Sequence, residues 1–164
     1  MAAAWSIFRD NDVRFIHPLN SLDIGIAMTN PSKPFEPIAP EILALGERMR
    51  RATLGDAHVD RSLQKAKEDP FLWPLQEAVM GMAWGAIWGR PGLDVKSRSL
   101  VTVSILIALG RTAELAVHIN GALNNGWTKA ELQEILIHSS GYCGWPAALE
   151  ASRVAKEVLD QRSA

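Results

Sequence analysis

Glu114 and His118 stand four residues apart in a stretch, Thr112 to Asn124, whose pattern predicts a helix. At one residue per 100° they fall on a single narrow stripe with Gly121 and Asn125. Leu115, Ile119, Ala122 and Leu123 lie on the neighbouring apolar side. A carboxylate one turn from an imidazole can accept its N–H, fix the tautomer and raise its basicity. Gly121, a turn further on, removes a side chain and leaves room for a ligand. The same spacing also suits a solvated structural pair, and spacing alone leaves both readings open.

Other residues could join this pair. His138 lies on the following helix, one turn after Glu134, and two antiparallel helices joined at Asn125-Gly126 could bring it to His118. It could equally be a polar edge residue. Trp84 and Trp88 share a helix face and could wall a pocket or simply pack. Arg90 and Arg98 flank the turn RPGLD, and either could grip a carboxylate bidentately or tie to Asp94 or a chain carbonyl. Cys143 is the single cysteine, so dithiol chemistry and an internal disulfide are excluded by counting. With the four histidines it shows no tight ligand cluster, so no metal site is expected.

These residues need a frame to hold them. The chain has 164 residues, the length of one ordinary domain, and 48% are hydrophobic, enough for a core. Seventeen basic and 18 acidic residues leave a net charge of −1, which argues against a nucleic-acid surface or anionic lipid. The N-terminus is interrupted by Arg9, Asp10, Asp12 and Arg14 and lacks the apolar core of a signal peptide. The most apolar run, Leu100 to Leu109, is too short to span a bilayer. A soluble, cytoplasmic protein is expected.

Residues 1–35 carry no sustained helical period and close on Pro31, Pro34 and Pro37, predicting an extended or disordered arm; Met28 could be an alternative start. Residues 36–164 predict one all-α domain of about six to seven helices. A first helix runs from Pro40 to about Ala52, and Asp60 caps a second through Leu63 and Ala66. A third covers Phe71 to Ile87, with Leu75, Val79 and Met82 as its apolar stripe. Asp94 caps a fourth helix that is apolar nearly all round, predicting full burial and a partner subunit to help cover it. Gly110 ends it. The Glu114 helix then stops at Asn125-Gly126, and Thr128 with Glu131 forms a capping box for the next. Gly144 breaks the chain, and Leu149, Val154 and Val158 mark a last helix.

The segments WGAIWGRPGLDVKSRSLVTVSILIALGR, ELAVHINGALNNGWTKAELQEILIHSSGYCGWPAALEA and RVAKEVL resemble the γ-carboxymuconolactone decarboxylase family, within the wider AhpD-like group of all-helical proteins. The resemblance covers about residues 36–162 and weakens before Asp60. It implies a homo-oligomer, often a trimer or hexamer, and a reaction that needs no cofactor. The namesake reaction removes CO2 from 4-carboxymuconolactone in aromatic catabolism, and the lactone carbonyl takes up the electrons. That chemistry implies an anchor for carboxylates, an oxyanion donor and one delivered proton. His118 oriented by Glu114 matches the acid or oxyanion-donor role, with His138 as a further catalytic candidate. Trp84, Trp88, Arg90, Arg98, Asn120 and Tyr142 form the candidate substrate-binding set. AhpD-type peroxidases carry CxxCH where this chain has Glu114, Val117 and His118, so their mechanism does not transfer.

Three positions depart from the usual decarboxylase pattern: Ala86 replaces a carboxylate, Asn120 an arginine, and His138 a glutamine. The pocket is therefore expected to be less charged than that of the namesake enzyme. Its substrate is expected to be a small organic acid or lactone. Two alternatives stay open: a different proton-transfer enzyme (isomerase, cyclase or lactone-opening) on the same scaffold, and a non-catalytic oligomeric binding protein.

Overall fold

Pro40 sits in the first turn of the first helix, where its missing N–H costs nothing. That helix, α1, spans Pro40–Leu54. The computed structural model describes residues 37–163. The arm expected over residues 1–35, with His17 and Met28, lies outside the described residues.

Seven α-helices and one π-helical segment make up the described chain, and no strand occurs among the described residues. After α1 come α2 (Asp56–Lys67), α3 (Trp73–Ala78), the π segment (Val79–Trp88), α4 (Val95–Ala108), α5 (Thr112–Asn124), α6 (Lys129–Cys143) and α7 (Trp145–Ser163). Gly55, at φ +84°, is the whole connection between α1 and α2. Asp60, expected to cap α2, lies inside that helix instead and pairs with Arg51 at 2.8 Å. The caps expected at Asp94 and at Thr128–Glu131 are both present.

The third expected helix divides. After six α-helical residues the chain widens to i→i+5 bonding over Val79–Trp88. Widening puts residues four and five apart on one face, so Met80, Gly81, Trp84, Gly85 and Trp88 turn inward. Leu75, Val79 and Met82, the stripe expected from a 3.6-residue period, face outward. The inward glycines let α1 come very close. A Cβ on Gly85 would lie 2.5 Å from the Ile42 carbonyl oxygen, and one on Gly46 would overlap that of Met80.

The helices enclose two adjoining apolar clusters. One joins α4 to α7 through Val103, Ile107, Leu115, Ile119, Leu132 and Val154. The other joins α1, α2 and the π segment through Leu54, Val59, Leu63, Met80, Trp84 and Trp88. Helix α5 belongs to both, since Val117 packs on the second while Leu115 and Ile119 fill the first. Burying each such large side chain stabilises the fold by about 1.5–3 kcal/mol.

Helix α4 is not fully buried within one chain. Ser99, Val103 and Ile107 face inward, while Leu100, Val101, Ile105 and Leu109 are exposed. In α7 the inward stripe is Ala148, Ala151, Val154, Ala155 and Val158, with Leu149 outside it. No helix among the described residues is long and apolar enough to cross a membrane.

The α1–π contact sets one expectation. Gly46→Ala must push two backbones apart, at a cost of about 1–3 kcal/mol and a Tm lower by roughly 4–10 °C. Gly92→Ala meets open space and should melt like the parent. Equal melting of the two variants in calorimetry contradicts the close approach.

Candidate active site

His118 projects from α5 toward the π segment. Its ring lies nearly parallel to Trp84 (7° between planes, centroids 6.0 Å apart) and 6.2 Å from Trp88. The two indoles are themselves 4.8 Å apart and almost wholly buried. Their four-residue spacing puts both indoles on one face, and in the widened turn that face is the buried one. Of the residues expected from the sequence, these three are brought together.

Glu114 is exposed one turn earlier on α5, and no Glu114–His118 hydrogen bond is present among the described residues. Its carboxylate acts on the imidazole through space, favouring the protonated ring. Burial opposes it and is the largest influence, with His58 and Arg50 acting in the same direction as burial. The balance holds the His118 pKa below its ordinary value. His58, on α2, is likewise held low by burial and by the Arg50 and Arg61 cations. Both imidazoles are therefore neutral at neutral pH.

Arg50 was not singled out in the sequence, yet it is the most unusual charge in the fold. It is only 7% exposed. Nη2 donates to the Ser62 hydroxyl at 2.9 Å, while Nε and Nη1 are buried without an acceptor among the described residues. Burial lowers its pKa, though a guanidinium keeps its proton. Its neighbour Arg51 meets the opposite fate, reaching Glu47, Asp56 and Asp60 on the outer side of α1. Arg50 and His58 were missed because charged and polar residues on a helix are normally solvent-facing. The available signal was Gly81, Gly85 and Gly89 at four-residue spacing, which marks the face where α1 and the π segment touch.

The remaining candidates lie elsewhere. His138 is exposed on α6 beside Tyr142, itself exposed, with ring centroids 4.9 Å apart. Helix α6 packs mainly on α7 and α4, and His138 stays exposed on it instead of meeting His118 within one chain. Asn120 accepts from Arg162, which also donates to Asn124 at 3.0 Å, tying α5 to the end of α7. Arg98 donates to the carbonyls of Leu93 (3.1 Å) and Arg90 (2.7 Å), which braces the turn and spends its fork. The Arg90 side chain is exposed, as is Ala86. Gly121 does not open space for a ligand. A Cβ there would stand 3.0 Å from Leu54 and 3.1 Å from Thr53, so it lets α5 lie close on α1. Asn125 donates to Ser99 at 2.9 Å, joining α5 to α4. Among the described residues no three His, Cys, Asp or Glu side chains gather as a metal site requires.

Residues 74–157 match the carboxymuconolactone decarboxylase family. Over 114 residues the chain is 44% identical to 4-carboxymuconolactone decarboxylase of Acinetobacter baylyi, spanning 70% of this chain and 84% of that protein. It is 40% identical over 115 residues to nitrosuccinic acid decarboxylase of Metarhizium robertsii, spanning 70% and 79%. An uncharacterized 15.0 kDa protein of Paracoccus denitrificans is 33% identical over 129 residues, 76% and 92% of the two chains.

The depressed histidines link pH to stability. Because their folded pKa values lie below the unfolded ones, the unfolded chain takes up protons first as pH falls. Their contribution is neutral above about pH 6.5 and destabilises the fold below it. Glu131, held at about 2 by its contact with Lys96 and the capping box, acts only at lower pH. Thermal melts should show Tm falling from pH 7 to 5, with a shallower slope in His118→Gln. A slope unchanged by that substitution contradicts the burial of a neutral imidazole.

Proposed function

Because the chain belongs to the carboxymuconolactone decarboxylase family, we propose that it removes CO2 from a small organic acid whose carboxylate is conjugated to an electron sink. The observation that carries this reading is the neutral, desolvated His118 imidazole set against Trp84 and Trp88. Both named decarboxylase relatives supply a sink of the required kind in their substrate names, a lactone carbonyl in one and a nitro group in the other.

The chemistry follows from that sink. The bond between the carboxylate carbon and its neighbour breaks, and its electron pair flows into the carbonyl or nitro group. CO2 leaves, negative charge collects on oxygen, and a proton then adds to carbon. No external electron carrier enters the balance. A neutral imidazole is a poor proton donor to carbon but a good hydrogen-bond donor to oxygen. His118 is therefore assigned as the oxyanion donor, and the proton comes from solvent or a second group. One such donor in a water-poor site contributes roughly 3–4 kcal/mol, or 100- to 1,000-fold in kcat. Glu114 is a positioning residue that biases the imidazole electrostatically.

His118→Ala should fold and lose at least 100-fold in kcat on 4-carboxymuconolactone or nitrosuccinate, followed by CO2 release. Full turnover by a folded His118→Ala sinks the assignment. Glu114→Gln removes a group that favours the protonated ring, so the acid limb of its kcat–pH profile should move to lower pH. An unmoved limb removes Glu114 from the mechanism.

The proposal includes a homo-oligomer. Leu100, Val101, Ile105 and Leu109 on α4, with Tyr142, Trp145 and Leu149 near the start of α7, are apolar side chains left exposed by one chain. A second copy offers matching apolar surface and would also cover the His138–Tyr142 pair. Light scattering should report a mass that is a multiple of 18.0 kDa. A monomer at micromolar concentration overturns this part.

A further inference from the structure

Arg50 remains unexplained by the fold. Its guanidinium has five N–H donors. The Nε hydrogen and both Nη1 hydrogens, three of the five, have no acceptor in the described chain. No carboxylate lies within ion-pair distance of it among the described residues, although Arg51 beside it has three. Burying an unpaired cation is unfavourable, and a methionine in its place would pack without that cost. A fold seldom keeps such a group for stability.

The surroundings suit an incoming anion. Ser62, which accepts from Arg50, lies on the wall of a groove of about 580 Å³ along α2. His58, Arg61 and Lys65 line the same groove, with Glu68 the one carboxylate there. His58 and Arg50 both act electrostatically on the His118 ring, so groove, guanidinium and candidate oxyanion donor lie within one electrostatic neighbourhood. The other arginine of interest, Arg98, is occupied by chain carbonyls.

We infer that Arg50, with Ser62 and His58 at its mouth, is the carboxylate-binding subsite of this enzyme, receiving the carboxylate of the substrate from the α2 groove. The inference rests on the reading of the site as one that takes an organic acid. A carboxylate offers acceptor oxygens to N–H donors that lack them, and a charge-assisted hydrogen bond there gives orientation as well as affinity. Binding there supplies the missing counter-charge, and it holds one end of the substrate while the sink meets His118. Substrates with two carboxyl groups fit this division, one group held and one released.

The test uses succinate, a non-reacting dicarboxylate, as the probe, with affinity read by calorimetry on the full chain. Wild type should bind it, and Arg50→Met should weaken binding at least tenfold while melting at the same temperature as wild type or higher. A purely structural arginine gives the reverse pattern, with lower Tm and unchanged affinity. Arg50→Lys keeps the charge but not the fork, so it should also bind more weakly and raise KM more than it lowers kcat. Affinity within twofold of wild type in either folded variant, or no binding of succinate to wild type, overturns the subsite. His118→Ala separates the two readings: it should keep succinate affinity and lose turnover. If it keeps turnover, the oxyanion assignment falls while the Arg50 subsite still stands or falls on succinate alone.

Discussion

Everything in the candidate site depends on how closely α1 approaches the π segment. The contact is nearly backbone against backbone, with Gly46 against Met80 and Gly85 against Ile42. Any Cβ at these positions would force the two elements apart. The approach places Arg50, on α1, and Trp84 and Trp88, on the π segment, against α5 and its His118. A second close approach, Gly121 of α5 against Thr53 and Leu54, locks the third side. The glycines serve the packing of helices, and the chemistry is carried by the larger side chains that this packing gathers.

Electrostatics then divides α1 into two faces. Arg51 lies outside among three acidic residues, where solvent would satisfy it in any case. Arg50 lies inside, with the Ser62 hydroxyl as its one acceptor among the described residues. Burial above all, with a smaller contribution from the field of that inner cation, lowers the pKa of His58 and His118 and keeps them neutral at neutral pH. In the proposed reading the two are complementary: the neutral imidazole meets charge as it develops on oxygen, and the buried guanidinium meets charge already present. Of the departures from the family pattern, Ala86 is exposed and Asn120 binds Arg162.

The family match begins at residue 74, after α1 and α2. His118, Trp84 and Trp88 fall inside it, while Arg50, His58 and Ser62 fall before it. Those three residues lie outside the span of the family model, on α1 and α2.

Local chemistry was legible from the sequence alone. The helix bounds at Pro40, Thr112 and Asn124, the caps at Asp94 and Thr128–Glu131, and the stops at Gly110, Gly126 and Gly144 all follow from residues within a few positions of each other. The family was legible too, because motif order is a property of the chain. The inward face between Val79 and Trp88 was not, since a period of 3.6 assumes the α-helix that the widened turn replaces. Nor were the partners of Arg98 and Asn120, or the isolation of Arg50. Each depends on which element lies opposite, and a side chain's sequence neighbours do not say what it will face once distant helices pack.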